Sequence, residues 1–320
     1  MVRIAYLGPE GTFTEAALLQ MTNAGLVPDH GPDALRRLPS ESTLAALDGV
    51  RDGVADYACV PIENSIDGSL TPTLDSLAIG SPLQVFAETT LDVAFSIVVK
   101  PGLNAEDVRT LAAFPVAAAQ VRQWLAAHLA GAELRPAYSN ADAARQVAEG
   151  QADAAVTSPL AAAHRRLVVL ADGIVDEPNA RTRFVLVGPP GPPPTRTGAD
   201  RTSVVLRIDN APGALLAALA EFGIRGIDLT RIESRPTRTE LGTYLFFVDC
   251  VGHIDDDPVA EALKALHRRC ADVRYLGSWP MGPAAGIGPP PADESSRWLA
   301  RLRAGKLQHA QGPGSGGFRP

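Results

Sequence analysis

Three polar clusters combine hydroxyl, amide and charged side chains with conformationally free backbone, each where an apolar run of strand length meets a helical pattern. The first is Gly8-Pro9-Glu10-Gly11-Thr12-Phe13-Thr14. Two glycines free the backbone there, and a helix start offers unpaired N–H groups that could hold an anion. Spacing alone fits a plain capped turn at least as well, with Thr12 or Thr14 as N-cap. The second is Pro61-Ile62-Glu63-Asn64-Ser65-Ile66-Asp67-Gly68-Ser69, which leaves a strand and enters a helix at Thr71-Pro72. A threonine cap and an N1 proline account for Thr71 and Pro72. No packing need accounts for Glu63, Asn64 and Ser65, and loops of this composition bind polar ligands. The third is Asn179-Ala180-Arg181-Thr182-Arg183-Phe184, ahead of an apolar strand. Strand alternation puts Thr182 on one face and both arginines on the other. One arginine is expected to pair with a local carboxylate, and an arginine can also clamp a substrate carboxylate bidentately. Together the clusters describe a site for a small, anionic, hydroxylated molecule, without a cofactor.

Other chemistries find no support. The sequence holds no G-x-S-x-G elbow, Walker loop, G-x-G-x-x-G after the first strand, or H-E-x-x-H. His30, His128, His164, His253, His267 and His309 are scattered, and His128 and His267 read as helix-surface residues. Cys59, Cys250 and Cys270 are too far apart for zinc spacing and odd in number, against a disulfide framework. A formal net charge of -7 argues against a nucleic-acid partner. Met1 to Leu7 passes straight into GPEGT, which reads as a first strand and not a signal peptide. No run approaches the roughly 18 apolar residues of a membrane span. The expectation is a cytoplasmic protein that touches no membrane.

The elements that must position the clusters divide the 320 residues into two domains and a tail. Over 1–188, strand-sized runs alternate with helical patterns, an α/β architecture. Gly53-Val-Ala55-Asp56 recurs as Gly150-Gln-Ala152-Asp153, each between a helix-like segment and a short strand. This is either a common helix-to-strand turn or the mark of two similar lobes facing each other across a cleft. PPGPPP at 189–194 opens a linker taken as 189–200, since proline cannot donate ladder hydrogen bonds. Residues 201–281 follow a βαββαβ order, helices on one face of an antiparallel sheet whose exposed edge invites a second copy. Residues 282–320 form a Pro/Gly-rich tail expected to be disordered, apart from a short amphipathic helix over 297–307.

YLGPEGTFTEAA, VPIENSIDGSLTPTLDSL and NARTRFVLVG resemble the three signature regions of the prephenate dehydratase family. PGALLAAL and RIESRPT resemble its regulatory ACT domain, and the likeness covers roughly residues 1–280 in family order. The resemblance implies decarboxylating dehydration of prephenate to phenylpyruvate in phenylalanine biosynthesis, a carbon–oxygen lyase reaction without metal or organic cofactor. It also implies a two-lobed fold like the type II periplasmic binding proteins, followed by a ferredoxin-like ACT domain. Carried over by motif, Thr182, Arg183 and Phe184 are catalytic, and Thr12, Glu63, Asn64, Ser65 and Gln120 bind substrate. Thr182 would donate to the leaving oxygen; main-chain N–H groups near Gly11 and Thr12, with Arg183 or Arg181, would hold carboxylates. Asn64 and Ser65 would orient the ring. Many relatives carry Ser-His-Pro with a glutamine five residues on; here Ala113-Phe114-Pro115 precedes Gln120, so no serine or histidine donor is expected there. His164-Arg165-Arg166 is a second departure. L-phenylalanine, as feedback inhibitor, would bind Asn210, Pro212, Gly213, Ala214 and Leu215, with Glu233, Ser234 and Arg235 closing the pocket. Paired ACT domains imply a homo-oligomer, a dimer or tetramer, and no mutase-like stretch precedes Met1, so a monofunctional enzyme is expected. Arogenate dehydratase, or an amino-acid sensor without catalysis, are the competing readings.

Overall fold

The computed structural model describes residues 1–28, 35–238, 242–281 and 294–305. The first lobe is a mixed sheet of β1 (Val2–Leu7), β2 (Leu35–Ser40), β3 (Tyr57–Asn64), β4 (Gly68–Ser69) and β5 (Gln84–Asp92). The second lobe holds β6 (Phe95–Val99), β7 (Thr110–Ala113), β8 (Glu133–Pro136), β9 (Ala154–Thr157) and β10 (Val168–Ile174). The chain then returns to the first lobe as β11 (Arg181–Gly188), which lies between β3 and β5 and gives the order β2-β1-β3-β11-β5. The second sheet runs β10-β6-β9-β7-β8. The backbone thus crosses between lobes twice, and the Val93 N–H donates to Ala180 O at 2.7 Å where the crossings meet.

Helices α1 (Phe13–Asn23), α2 (Thr43–Arg51) and α3 (Thr71–Ala78) cover the first sheet. The second lobe carries α4 (Pro115–Gln120), α5 (Arg122–His128), α6 (Asn140–Ala148) and α7 (Pro159–His164). β1, β3 and β11 are apolar over most of their length because both sheet faces are covered: Tyr6, Phe184 and Leu186 pack against Leu18 and Met21 of α1, and Ala5, Val60 and Val185 share a cluster with Leu47 of α2 and Leu74 of α3. The repeated Gly-x-Ala-Asp turn does the same work in each lobe. Gly53 and Gly150 are left-handed, with φ of 69° and 78°, and end the preceding helices. The two aspartates then accept from the start of the adjacent strand, Asp56 from the Arg3 N–H at 2.8 Å and Asp153 from the Thr110 N–H at 2.8 Å. The helix at Thr71-Pro72 departs from expectation. Its cap is Leu70 and makes no side-chain bond, so Thr71 already lies within the helix, and Thr73 anchors that helix by donating to Pro61 O at 2.5 Å.

The C-terminal domain contains β12 (Asp200–Arg207), α8 (Ala214–Gly223), β13 (Leu229–Pro236), β14 (Tyr244–Val251), α9 (Asp257–Arg269) and β15 (Asp272–Pro280), in the βαββαβ order. β12 begins at Asp200, the last residue of the linker read from the prolines. Its antiparallel sheet runs β13-β14-β12-β15. Val204, Leu206, Val248 and Cys250 face α8 and α9. On the other face, Val205, Phe247, Leu276 and Trp279 enter the core formed by Val60, Val85 and Val185, so one apolar cluster is shared by the two domains. At this seam Gly277 has a φ of 134°, and a Cβ placed on it would lie 2.4 Å from Val85 O. In the tail, α10 spans Glu294–Arg303, earlier than the helix expected over 297–307, and the disorder expected for 282–293 and 306–320 falls outside the described residues. No helix among the described residues is long and apolar enough to cross a membrane.

Gly277→Ala therefore meets both a left-handed backbone and a blocking carbonyl. It should destabilise the folded chain by about 2 kcal/mol or more; an unchanged unfolding midpoint in denaturant would contradict the close approach.

Candidate active site

Thr182 is the second residue of β11, and alternation along that strand sends Thr182, Phe184 and Leu186 to the α1 face and Arg183, Val185 and Val187 to the opposite one. The Thr182 hydroxyl accepts a hydrogen bond from Asn64 Nδ2 at 3.0 Å. Asn64 Oδ1 in turn accepts from the N–H groups of Ile66 and Asp67, at 2.8 and 3.0 Å. Two backbone donors can face only the amide oxygen, so the NH2 must point at Thr182. With one lone pair taken, the Thr182 O–H is left to donate, and accepting a bond strengthens it as a donor.

That hydroxyl opens into a cleft of about 630 Å3 between the lobes. Leu7, Pro9, Thr12, Phe13, Thr14, Pro61 and Phe184 line it from the first lobe, and Phe114, Tyr138, Ser139, Asn140 and Asp142 from the second. Among the described lining residues the charged ones are Glu41 and Asp142, both acidic, and Asp142 is paired with Arg145 at 2.7 Å. What favours an anion is the pair of helix starts at the cleft. Thr12 caps α1, donating to Leu7 O at 2.9 Å and accepting from the Glu15 N–H at 3.3 Å. Ser139 caps α6, accepting from the Asp142 N–H at 3.0 Å. Each helix start leaves first-turn N–H groups unbonded within the helix and adds the positive end of its dipole. The Gly11 N–H is not one of these donors, because it is spent on Glu15 Oε2 at 2.6 Å. Gly11 instead marks where the lobes touch: its carbonyl accepts from Ser158 Oγ at 2.5 Å, and a Cβ on it would lie 2.9 Å from Ala161 Cα.

Ser65 donates to Asn179 O at 3.1 Å and accepts from the Arg181 N–H at 2.8 Å, stitching β3 to the start of β11 instead of facing the cleft. Gln120 ends α4 outside the cleft lining, its Oε1 buried without a hydrogen-bond partner. Phe114 supplies an apolar wall. The arginines differ most from the motif-based expectation, since neither lines the cleft and both pair with carboxylates of the protein. Arg181 pairs with Asp92 at 2.7 Å on the surface. Arg183 is buried on the far side of the sheet, its Nη2 2.9 Å from both Asp249 and Glu63 and its Nη1 3.2 Å from Glu88. Glu63 accordingly also faces away from the cleft. Burial opposes the Arg183 charge, but Asp249, Glu88 and Glu63 outweigh it and raise the guanidinium pKa. Burial likewise opposes the Asp249 charge; Arg231, Arg183 and Arg201 outweigh it and hold the carboxyl far below the usual carboxylate range.

Register divides the ACT-like residues in the same way. Ser234 pairs with Phe246 on the helix-covered face, and Asn210, Pro212 and Gly213 form an exposed turn that leads into Ala214 and Leu215. Gly213 is the left-handed cap of α8, with φ 78°. Glu233 and Arg235 point the other way, where Glu233 accepts from Ser69 Oγ at 3.2 Å and Arg235 pairs with Asp75 at 3.0 Å. They join the two domains and do not close a pocket with Ser234. Sequence reasoning passed over Tyr138, Ser139 and Asn140, although Ser139-x-x-Asp142 carries the capping-box spacing that announces a helix start.

The fold and site define a two-lobed α/β enzyme with a hydroxyl-bearing interlobe cleft and an attached regulatory-type βαββαβ domain. The profile of the prephenate dehydratase family matches residues 4–191 and that of the ACT domain residues 202–268. A prephenate dehydratase of Mycobacterium leprae is 83% identical over 318 residues, 99% of either chain. One of Mycobacterium tuberculosis is 84% identical over 306 residues, 96% of this chain and 95% of its own. The crystal structure of prephenate dehydratase from Arthrobacter aurescens in complex with L-Phe superposes with a TM-score of 0.83 at 40% identity, over 95% of this chain and 98% of that one. The chain belongs to the prephenate dehydratase family, carbon–oxygen lyases of phenylalanine biosynthesis, and carries an ACT domain.

A carboxyl whose folded pKa lies well below its unfolded value near 4 stabilises the fold fully above that value and loses the contribution progressively as pH falls from there toward the folded pKa. The gap in melting temperature between the wild type and Asp249→Asn should therefore stay constant from about pH 5 to 8 and narrow below about pH 4. A gap unchanged down to pH 3 would contradict the ion-paired assignment of Asp249.

Proposed function

We propose that prephenate binds in the interlobe cleft and that Thr182 assists departure of its ring hydroxyl. The observation that carries this reading is the Asn64–Thr182 hydrogen bond, which fixes the threonine as a donor toward the cleft. As the ring carboxylate leaves as CO2, its C–C bonding pair moves into the ring, and the ring C–O bond breaks to release hydroxide, which solvent protonates to water. Aromatisation supplies the driving force, so the protein needs to position the dianion and stabilise charge developing on the leaving oxygen. Threonine is a weak acid, and polarisation of that oxygen suits it better than full proton transfer. The first-turn N–H groups of α1 and α6 hold the carboxylates, while Phe13, Phe114 and Phe184 wall the ring.

L-phenylalanine is the effector in this reading, supported by the L-Phe complex of the Arthrobacter relative. Its carboxylate meets the N–H groups at the start of α8, and Leu215 and Ser234 lie beside it. A second copy of the chain completes the pocket, since β13 is a sheet edge and Leu216 and Ile224 of the same domain are each 74% exposed. The enzyme works in the cytoplasm, in keeping with its biosynthetic reaction and three free cysteines.

The test is phenylpyruvate formation from prephenate by the purified chain. Thr182→Val, which keeps shape and removes the hydroxyl, should lower kcat on the order of 10^2-fold or more with little change in KM, and Thr182→Ser should retain activity. L-phenylalanine should suppress wild-type turnover. Faster turnover of arogenate than of prephenate would move the assignment to the aminated substrate, and an unaffected Thr182→Val would refute the catalytic role.

A further inference from the structure

Three guanidinium groups meet three carboxylates in the seam between the catalytic sheet and the ACT sheet. Besides the contacts of Arg183, Asp249 accepts from Arg231 in a fork at 2.9 and 3.1 Å and from Ser203 at 2.7 Å. Glu88 accepts from Arg201 at 3.1 Å and from Trp279 Nε1 at 3.0 Å. Asp249 is 1% exposed, and Glu88, Arg183 and Arg231 are buried with it. The cluster touches the proposed catalytic pair by register. β3 places Asn64 beside Thr182 and the preceding Glu63 against Arg183; β11 places Thr182 beside Asn64 and the following Arg183 in the cluster. On each strand one residue serves the cleft and its immediate neighbour serves the ACT contact. The ladder is interrupted just there, Arg183 pairing with Glu63 and Phe184 with Pro61, so Ile62 is bulged out. An irregular pair of this kind depends on side chains to fix its geometry.

We propose that Asp249 of the ACT domain is a positioning residue for Thr182, acting through Arg183 to hold the β3–β11 pair in its donor geometry. The inference rests on the reading of Thr182 given above. Removing one partner of a buried charged set leaves the others uncompensated, and the strand that carries them must shift to relieve it. Apart from Ser69 of β4, which donates to Glu233 beside β3, other polar ties across the seam attach elsewhere: Arg235 and Arg238 to Asp75 on α3, and Arg274 to the carbonyls of Leu77 and Gly80. They dock the domain without reaching β11, and this contrast makes the idea testable.

Steady-state kinetics of Asp249→Asn should show kcat reduced about tenfold or more with KM within about threefold of wild type. Arg183→Lys keeps the charge but loses the planar fork, and should move kcat the same way, which covers the case in which Asp249→Asn does not fold. Asp75→Asn should lower the melting temperature yet leave kcat within about twofold. A folded Asp249→Asn or Arg183→Lys with wild-type kcat would overturn the proposal, as would Asp75→Asn lowering kcat to the same degree. Thr182→Val assayed alongside separates the two levels: if it stays active, the catalytic reading fails and this one with it. If Thr182→Val is inactive while Asp249→Asn is fully active, only the positioning role is lost.

Discussion

A guanidinium taken out of water must be surrounded by carboxylates, and Arg183 meets that demand by drawing one each from β3, β5 and the ACT domain. Much of the molecule follows from satisfying it. The ACT sheet must lie with Asp249 against the catalytic sheet, which turns Phe247, Val205 and Trp279 into the same shared core. That approach is close enough to exclude a side chain at residue 277. Three arginines and three acids balance in charge, so the seam can be buried without a net ion, though such clusters favour one arrangement more than they add stability.

Placing Arg183 in the seam removes it from the cleft, and the chemistry there becomes one of dipoles. The described lining holds hydroxyls, the Asn140 amide, aromatic rings, two helix starts and the carboxyls of Glu41 and Asp142, with the Asn64 amide fixed behind Thr182. For a reaction driven by aromatisation this is sufficient in kind. The substrate carries its own leaving group and its own electron source, and what remains is orientation and a donor aimed at one oxygen. The two helix starts come from different lobes, so they converge on one anion only where the lobes meet, and Gly11 sets how near that is.

The sequence made the elements legible because most are written in period: the apolar runs of β1, β3 and β11, the prolines after Gly188, and the βαββαβ rhythm of the C-terminal domain all reappear within a few residues. The faces of β11 were legible too, since alternation alone separates Thr182 from Arg183. What alternation could not supply was the identity of the far side. The second sheet face has no occupant in the sequence pattern, so pairing of one arginine with a carboxylate is legible, but not that Arg183 pairs across to the ACT domain instead of clamping substrate. The same gap misplaced Glu63, Glu233 and Arg235. Ser139 and Asn140 were missed for a different reason, as their helix start lies far in sequence from the other clusters and joins them only through the second lobe.

β13 repeats the logic of β11 and suggests how the proposed effector would be heard. Ser234 lies on the face where L-phenylalanine is proposed to bind, while Glu233 and Arg235, its neighbours, hold Ser69 and Asp75 of the catalytic lobe. Arg231, on the same strand, grips Asp249. A strand cannot move one face without the other, so a ligand that favours a different setting of β13 changes the restraint on both domains. The free energy available is limited to the ligand's difference in affinity between the two settings. A few kcal/mol of such difference is enough, because a donor displaced by about 1 Å already forfeits much of its rate advantage.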